Sequence, residues 1–208
     1  MSIKKIMRRL RPNSWPIKNK NKMKDKLSSI PGFTKGLIGE KKNEKLARSS
    51  RGVFMETLEE LVKKDKKIIL IVGDVGFSYM QEFQKKYPKQ YLNAGVTEQS
   101  FMGIAAGMAK CGWKPYVYSM VPFVIMRNYE QLRNDVCYAN VNVKLIGVIG
   151  NVHYRFQGMS HNLLGKENEE DLLKNLPNLK RYYPKDTNEV RKIVLETYKN
   201  NIPTFIRL

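Results

Sequence analysis

Short apolar runs alternating with segments of helical period place this chain in the α/β class, with three α/β/α layers around a mostly parallel central sheet. Ile68-Ile69-Leu70-Ile71-Val72 is a continuous run of β-branched and aliphatic residues, the pattern of a strand buried on both faces. Further runs at 116–118, 143–149 and 204–207 are each separated from the next by a helical pattern, as crossover connections require. A length of 208 residues with 42% apolar content bounds the chain to one such domain with room for an appendage.

The appendage is 1–46, and the folded domain is expected over 47–208. Ile3, Ile6, Met7 and Leu10 fall at i, i+3, i+4 and i+7 between Lys4, Lys5, Arg8 and Arg9, and Pro12 closes the pattern. Four apolar residues hold a helix only weakly on a membrane surface, so the segment reads as a flexible extension, or as a docking arm for an anionic surface or an acidic partner. The first 50 residues hold 15 Lys and Arg against three acids, which is +12 of the formal +19. Aromatics do not interleave the bases of the 18–26 charge run and no recognition motif occurs, which argues against nucleic-acid binding.

In the domain, Ser49 or Ser50 opens a helix over 51–64, with Val53, Phe54, Leu58, Leu61 and Val62 on one face. After the first strand, Gly73-Asp74-Val75-Gly76 turns into a helix at 78–86. A short strand at 91–93 leads to Gly95, which permits a sharp turn. Thr97 is the expected cap of the next helix, its hydroxyl accepting from the first free amides. Phe101, Ile104, Ala105 and Met108 form its apolar face. Glu98 then stands where that helix enters the core, a position that the helix macrodipole alone also favours for an acid. The strand at 116–118 leads to one long helix over 122–138, with Val124, Ile125, Tyr129, Leu132 and Val136 apolar. The strand at 143–149, a loop over 150–165, a strand at 181–183, a helix at 187–198 and the strand at 204–207 complete the order.

Cys111 and Cys137 form no CxxC pair and read as free thiols at apolar helix positions in a reducing, cytoplasmic setting. No run approaches the roughly 20 apolar residues of a membrane span. No apolar segment follows the charged start, as a cleaved signal peptide would need.

Ligands of a parallel sheet bind at the carboxyl ends of its strands. Three loops there carry polar residues that packing does not require: Asp74 and Ser78 in the first, Glu98 in the second, and His153, Gln157 and His161 in the third. The third holds both histidines of the chain. They lack a third ligand at suitable spacing, so no metal site is expected. No P-loop, nucleophile elbow or dinucleotide fingerprint is present.

Asn93-Ala94-Gly95-Val96-Thr97-Glu98-Gln99, followed by a Gly/Ala-rich helix, resembles the pyrimidine-binding domain of transketolase-type thiamine diphosphate enzymes. The resemblance extends over 46–208, through Val72-Gly73-Asp74, the 114–123 stretch, Gln131-Leu132-Arg133-Asn134-Asp135 and Gln157-Gly158-Met159-Ser160-His161. It implies the thiamine diphosphate-binding fold in its pyrimidine module. It also implies that Glu98 bonds ring nitrogen N1′ of the cofactor with Gln99 beside it, that Phe123 stacks on the pyrimidine, and that Asp74 lies near the cofactor. His161 and His153 would polarise or protonate a substrate oxygen, Gln157 would contact substrate, and Ser78 a substrate phosphate.

Two departures stand out: Gln157 and Met159 occupy places where the family has Asp and Pro. No Gly-Asp-Gly…Asn stretch is available to hold Mg²⁺ and the diphosphate, and the chain stops at Leu208 where a transketolase continues into a third domain. The resemblance therefore implies one subunit of a split enzyme. A homodimer of this chain would sit within an α2β2 assembly whose other subunit grips the diphosphate. The expected reaction moves a two-carbon ketol unit between small molecules of ketose, aldose or sugar-nucleotide type, or joins two carbonyl compounds. Two other readings remain open: a non-catalytic regulatory or scaffolding subunit, and a basic adaptor on a borrowed fold.

Overall fold

The computed structural model describes residues 49–149, 155–163 and 167–208. The N-terminal extension, its surface-docking reading and His153 lie outside them. The sheet comprises β1 (Ile68–Val72), β2 (Tyr91–Asn93), β3 (Lys114–Met120), β4 (Lys144–Val148), β5 (Lys180–Tyr182) and β6 (Thr204–Arg207). Their order is β2-β1-β3-β4-β6-β5 and every neighbouring pair is parallel. The chain runs outward from β1 to β2 and returns past β1 to β3, so the order reverses between β1 and β3. A crevice opens outside the carboxyl ends of strands at such a reversal.

Alternation along β3 explains the layers. Tyr116, Tyr118 and Met120 face one core, with Phe54, Leu58 and Leu61 of α1 (Ser50–Lys64), Met80 and Phe83 of α2 (Phe77–Lys86), and Val190 and Val194 of the C-terminal helix Thr187–Tyr198. Val117 and Val121 face the other core, with Phe101, Met102 and Ala105 of α3 (Glu98–Lys110) and Leu173 of α4 (Glu169–Leu173). The C-terminal helix is α5. Ser49 caps α1 by accepting from the Gly52 amide, and Asp186 caps α5 by accepting from that of Glu189.

Local expectations are corrected at several points. Thr97 precedes α3, yet its hydroxyl donates to the Ala94 carbonyl (2.8 Å) and accepts from no helix amide. The hydroxyl thus closes the turn and leaves the amides of the first helical turn without that cap. Ile104 is 44% exposed, because Met102 and Ala106 take the core-facing positions. Cys111 lies just past the end of α3 and is exposed, while Cys137 is buried; both are free thiols. The long helix is broken: wide, π-type turns over Pro122–Met126 and Leu132–Tyr138 flank Tyr129–Gln131. Asn128, with φ −126 and ψ 26, makes the break. β3 is longer than expected, and α4 falls between the 150–165 loop and β5, in a stretch where the sequence pattern assigns no element.

Candidate functional site

The carboxyl ends of β1, β2 and β3 converge on one acid. Gly73 lets the turn after β2 come close, since a Cβ there would sit 2.8 Å from Cε1 of Phe101 and 3.4 Å from the Gly95 carbonyl oxygen. Asn93 ties the two loops together. Its Oδ1 accepts from the amides of Asp74 and Gly95, each at 3.0 Å, and its Nδ2 donates to Asp74 Oδ1 at 3.1 Å. Asp74 adopts φ 55, a left-handed conformation uncommon outside glycine and better tolerated by Asp and Asn. This clamp fixes where α3 begins.

Glu98, the first residue of α3, is 6% exposed. A buried carboxylate is stable only with a donor. Arg127 supplies it: Nη1 donates to Glu98 Oε1 at 2.9 Å. The same guanidinium lies over the Phe123 ring, 3.6 Å from its centroid. Asn128 holds the backbone beneath, its Nδ2 donating to the Glu98 carbonyl at 3.4 Å. The π-type turn between Phe123 and Asn128, closed by the Arg127 amide on the Pro122 carbonyl (3.2 Å), brings these residues together, and such turns recur at functional sites.

His161 meets Phe123 at 4.7 Å between ring centroids, with planes 69° apart. Burial first, and then the Arg127 charge, hold its imidazole below the ordinary value. The Ser160 hydroxyl donates to the Gln157 carbonyl (3.2 Å) and lies 2.8 Å from His161 Nδ1. Gly158 at φ 68 turns this loop, and its carbonyl accepts from Asn162 Nδ2 at 2.8 Å.

Of the residues singled out in the sequence, Glu98, Phe123 and His161 thus form one constellation, with Asp74 joined to it through Asn93. Gln157 reaches it through its backbone, while its buried Oε1 has no hydrogen-bond partner among the described residues. Ser78 and Gln99 are exposed in the first turns of α2 and α3. Sequence reasoning does not find Arg127, Asn93 or Asn128 as site residues. Arg127 carries a weak signal, since it follows Phe123 by four residues in a helical pattern, where side chains meet. Its pairing with Glu98 is tertiary and leaves no trace in spacing. Among the described residues no cluster of three His, Cys, Asp or Glu could hold a metal ion. Among them, too, no helix is long and apolar enough to cross a membrane.

The family profile described as "Transketolase, pyrimidine binding domain" matches residues 47–208. A subunit of the apulose-4-phosphate transketolase of Phocaeicola vulgatus is 33% identical over 159 residues, covering 76% of this chain and 50% of that protein. The putative transketolase C-terminal section of Methanocaldococcus jannaschii is 29% identical over 164 residues, covering 77% and 50%. Among solved structures, a split-gene transketolase described as an inactive beta4 tetramer aligns with TM-score 0.65 and 31% identity, over 76% of this chain and 50% of that one. The chain spans about half the length of these relatives.

Proposed function

The chain belongs to the family of transketolase pyrimidine-binding domains, and on that premise we propose that it is the pyrimidine-binding subunit of a split, thiamine diphosphate-dependent, transketolase-like enzyme. One observation carries the reading. Glu98 is a buried acceptor beside an aromatic ring, and both are already engaged by a flat, N–H-bearing cation. The pair therefore fits the aminopyrimidine end of the cofactor, which presents a flat ring with a basic nitrogen.

When bound, the cofactor supplies the thiazolium that adds to a carbonyl and takes up the electron pair released from the cleaved bond. This chain's part is to hold the pyrimidine and move one proton. Glu98 shares that proton with N1′. Phe123 offers the stacking face. His161, its imidazole held below the ordinary value by burial and by the Arg127 charge, polarises or protonates a substrate oxygen. Asp74, Gln99, Ser78, Gln157 and His153 are the remaining proposed contacts to cofactor and substrate. The diphosphate and Mg²⁺ would be gripped by a separate subunit, in an α2β2 assembly built on a dimer of this chain. We place its transfer of two-carbon ketol units between ketose and aldose substrates in cytoplasmic carbohydrate metabolism. Gln157 and Met159 mark the place where its substrate preference would depart from that of ordinary transketolase.

The test is Glu98→Gln in this chain co-expressed with a diphosphate-binding subunit, with calorimetric binding of thiamine diphosphate and ketose turnover both measured. The complex is expected to assemble and turnover to fall by at least about a hundredfold, the range for loss of a proton-transfer group. Turnover at the wild-type rate would refute the assignment and favour a regulatory subunit of the same fold.

A further inference from the structure

Arg127 touches both groups on which the proposed site depends. Its Nη1 is 2.9 Å from Glu98 Oε1, and its guanidinium carbon is 3.6 Å from the Phe123 centroid. Among the described residues it is the hydrogen-bond partner of that carboxylate. A guanidinium is planar and delocalised, donates along its edge and stacks on aromatic faces. An aminopyrimidine with N1′ facing a carboxyl group makes the same two demands on its surroundings. One carboxylate oxygen and one ring face cannot serve both.

We propose that Arg127 is a placeholder for the pyrimidine: it pairs with Glu98 and covers Phe123 in the chain alone, and it surrenders both when the ring enters. The inference rests on the pyrimidine-binding reading and adds a residue to it. The asymmetry of burial supports the exchange. The Glu98 side chain is 7% exposed and the Arg127 side chain 38%. Arg127 reaches the pair from the solvent side and can return to water without carrying a charge through the core. Glu98 cannot follow it, because Asn128 Nδ2 holds its carbonyl and α3 continues into the packed face. The backbone anchor and the side-chain latch are therefore separate groups on adjacent residues. Arg127 acts as a positioning residue: it keeps the carboxylate paired and aimed until the ring replaces it.

The full chain suffices for the test, with 4-amino-5-hydroxymethyl-2-methylpyrimidine as the probe, since this fragment lacks the diphosphate that a partner would bind. Arginine-labelled wild-type protein is titrated while the Arg127 Nε–H resonance and the Glu98 and Phe123 amides are followed by NMR. The placeholder predicts that all three move together with one midpoint, the Arg127 signal toward that of a solvated side chain. Arg127→Met should bind the probe about tenfold more tightly, because competition for the site has gone. Arg127→Lys, which keeps the charge but not the planar fork, should fall between. A residue that merely supported the fold would weaken binding when replaced. If the probe shifts the Glu98 and Phe123 amides while Arg127 Nε–H stays fixed and R127M binds no better, the placeholder is wrong and the pyrimidine site stands. If none of the three proteins responds at Glu98 or Phe123, both fail. Should R127M not fold, the wild-type resonance and R127K decide.

Discussion

The two edges of this one sheet treat buried charge in opposite ways. At the amino edge, Lys114 at the start of β3 pairs with Asp65 at 2.8 Å, the Tyr198 hydroxyl donates to the same carboxylate at 3.1 Å, and the Lys114 ammonium lies over the Tyr198 ring at 4.3 Å. One strand over, Lys144 is 1% exposed. Its Nζ donates to the Asn200 carbonyl and Oδ1 and the Ile202 carbonyl within 3.2 Å, and to Thr204 Oγ1 at 3.4 Å. These partners belong to the segment entering β6, so the contacts lock strand to strand. At the carboxyl edge, buried Glu98 is paired with a half-exposed arginine and Asp74 is held in a left-handed turn. Buried oxygens of Ser119, Asn128 and Gln157 there have no partner among the described residues. Polar groups at one edge close the structure; at the other they stay available. The Tyr116 hydroxyl and Asn142 Oδ1 are buried exceptions near the amino edge, without a partner among the described residues, and the structure offers no account of them.

The sharpest way to break this contrast is at Gly73. Ala there places a Cβ 2.8 Å from a ring carbon of fully buried Phe101 and 3.4 Å from the Gly95 carbonyl, so α3 must move away from β1. Overpacking of this kind costs about 1–3 kcal/mol, read as a lower urea midpoint, and affinity for the pyrimidine fragment should fall with it. Gly103 and Gly107, on the same helix, have nothing within 4 Å of an added Cβ. Ala at either should be neutral or gain up to about 1 kcal/mol in the isolated chain. Equal midpoints for G73A and G103A would show that the site loops are not packed to the tolerance described.

That close approach also marks the limit of what is legible in the sequence. Ile68–Val72 and Thr187–Tyr198 are readable to the residue, because a doubly buried strand is uniformly apolar and an amphipathic helix repeats its period. Glu98 and His161 stand out as residues of the carboxyl-edge loops, and the motif resemblance assigns roles to them and to Phe123. What stays hidden depends on partners far along the chain. Thr97 bonds backward into its own turn because the Asn93 clamp sets that turn. The π-type turns that aim Arg127 replace a helix whose apolar period looks unbroken. Ile104 satisfies the helical period, yet it is Met102 and Ala106 that reach the core.

At the amino edge the expected effect is smaller and appears as a pH dependence. Burial first, then the charges of Lys114 and Lys180, push the Lys144 ammonium down to about 7. In the unfolded chain a lysine titrates near about 10.4. Between those values the unfolded state binds more protons, so stability rises with pH; below about 7 both states are protonated and the cost of the buried charge is present in full. Lys144→Met should flatten the rise in urea midpoint between pH 7 and about 10. A slope that survives in K144M would assign it to another group. The Asp65–Lys114 pair runs the other way at this end of the scale. Lys114 is raised, mainly by its bond to Asp65, so its contribution is complete below the unfolded lysine value and is lost as pH climbs through the folded one.

The smallest predicted change tests whether the carboxyl edge behaves as one electrostatic unit. Two causes hold the His161 imidazole down, burial and then the Arg127 guanidinium. Arg127→Met removes the second and leaves Glu98 without its cation, and both changes favour a protonated imidazole. The His161 midpoint, followed through its ring-proton resonance, should therefore move upward. Lys144→Met, at the opposite ends of the same strands, should leave that midpoint where it was. If both variants move it equally, the two edges are coupled through the sheet and the contrast between them fails. If neither does, the guanidinium acts on Glu98 and Phe123 alone, and His161 is only a neighbour in the ring contact.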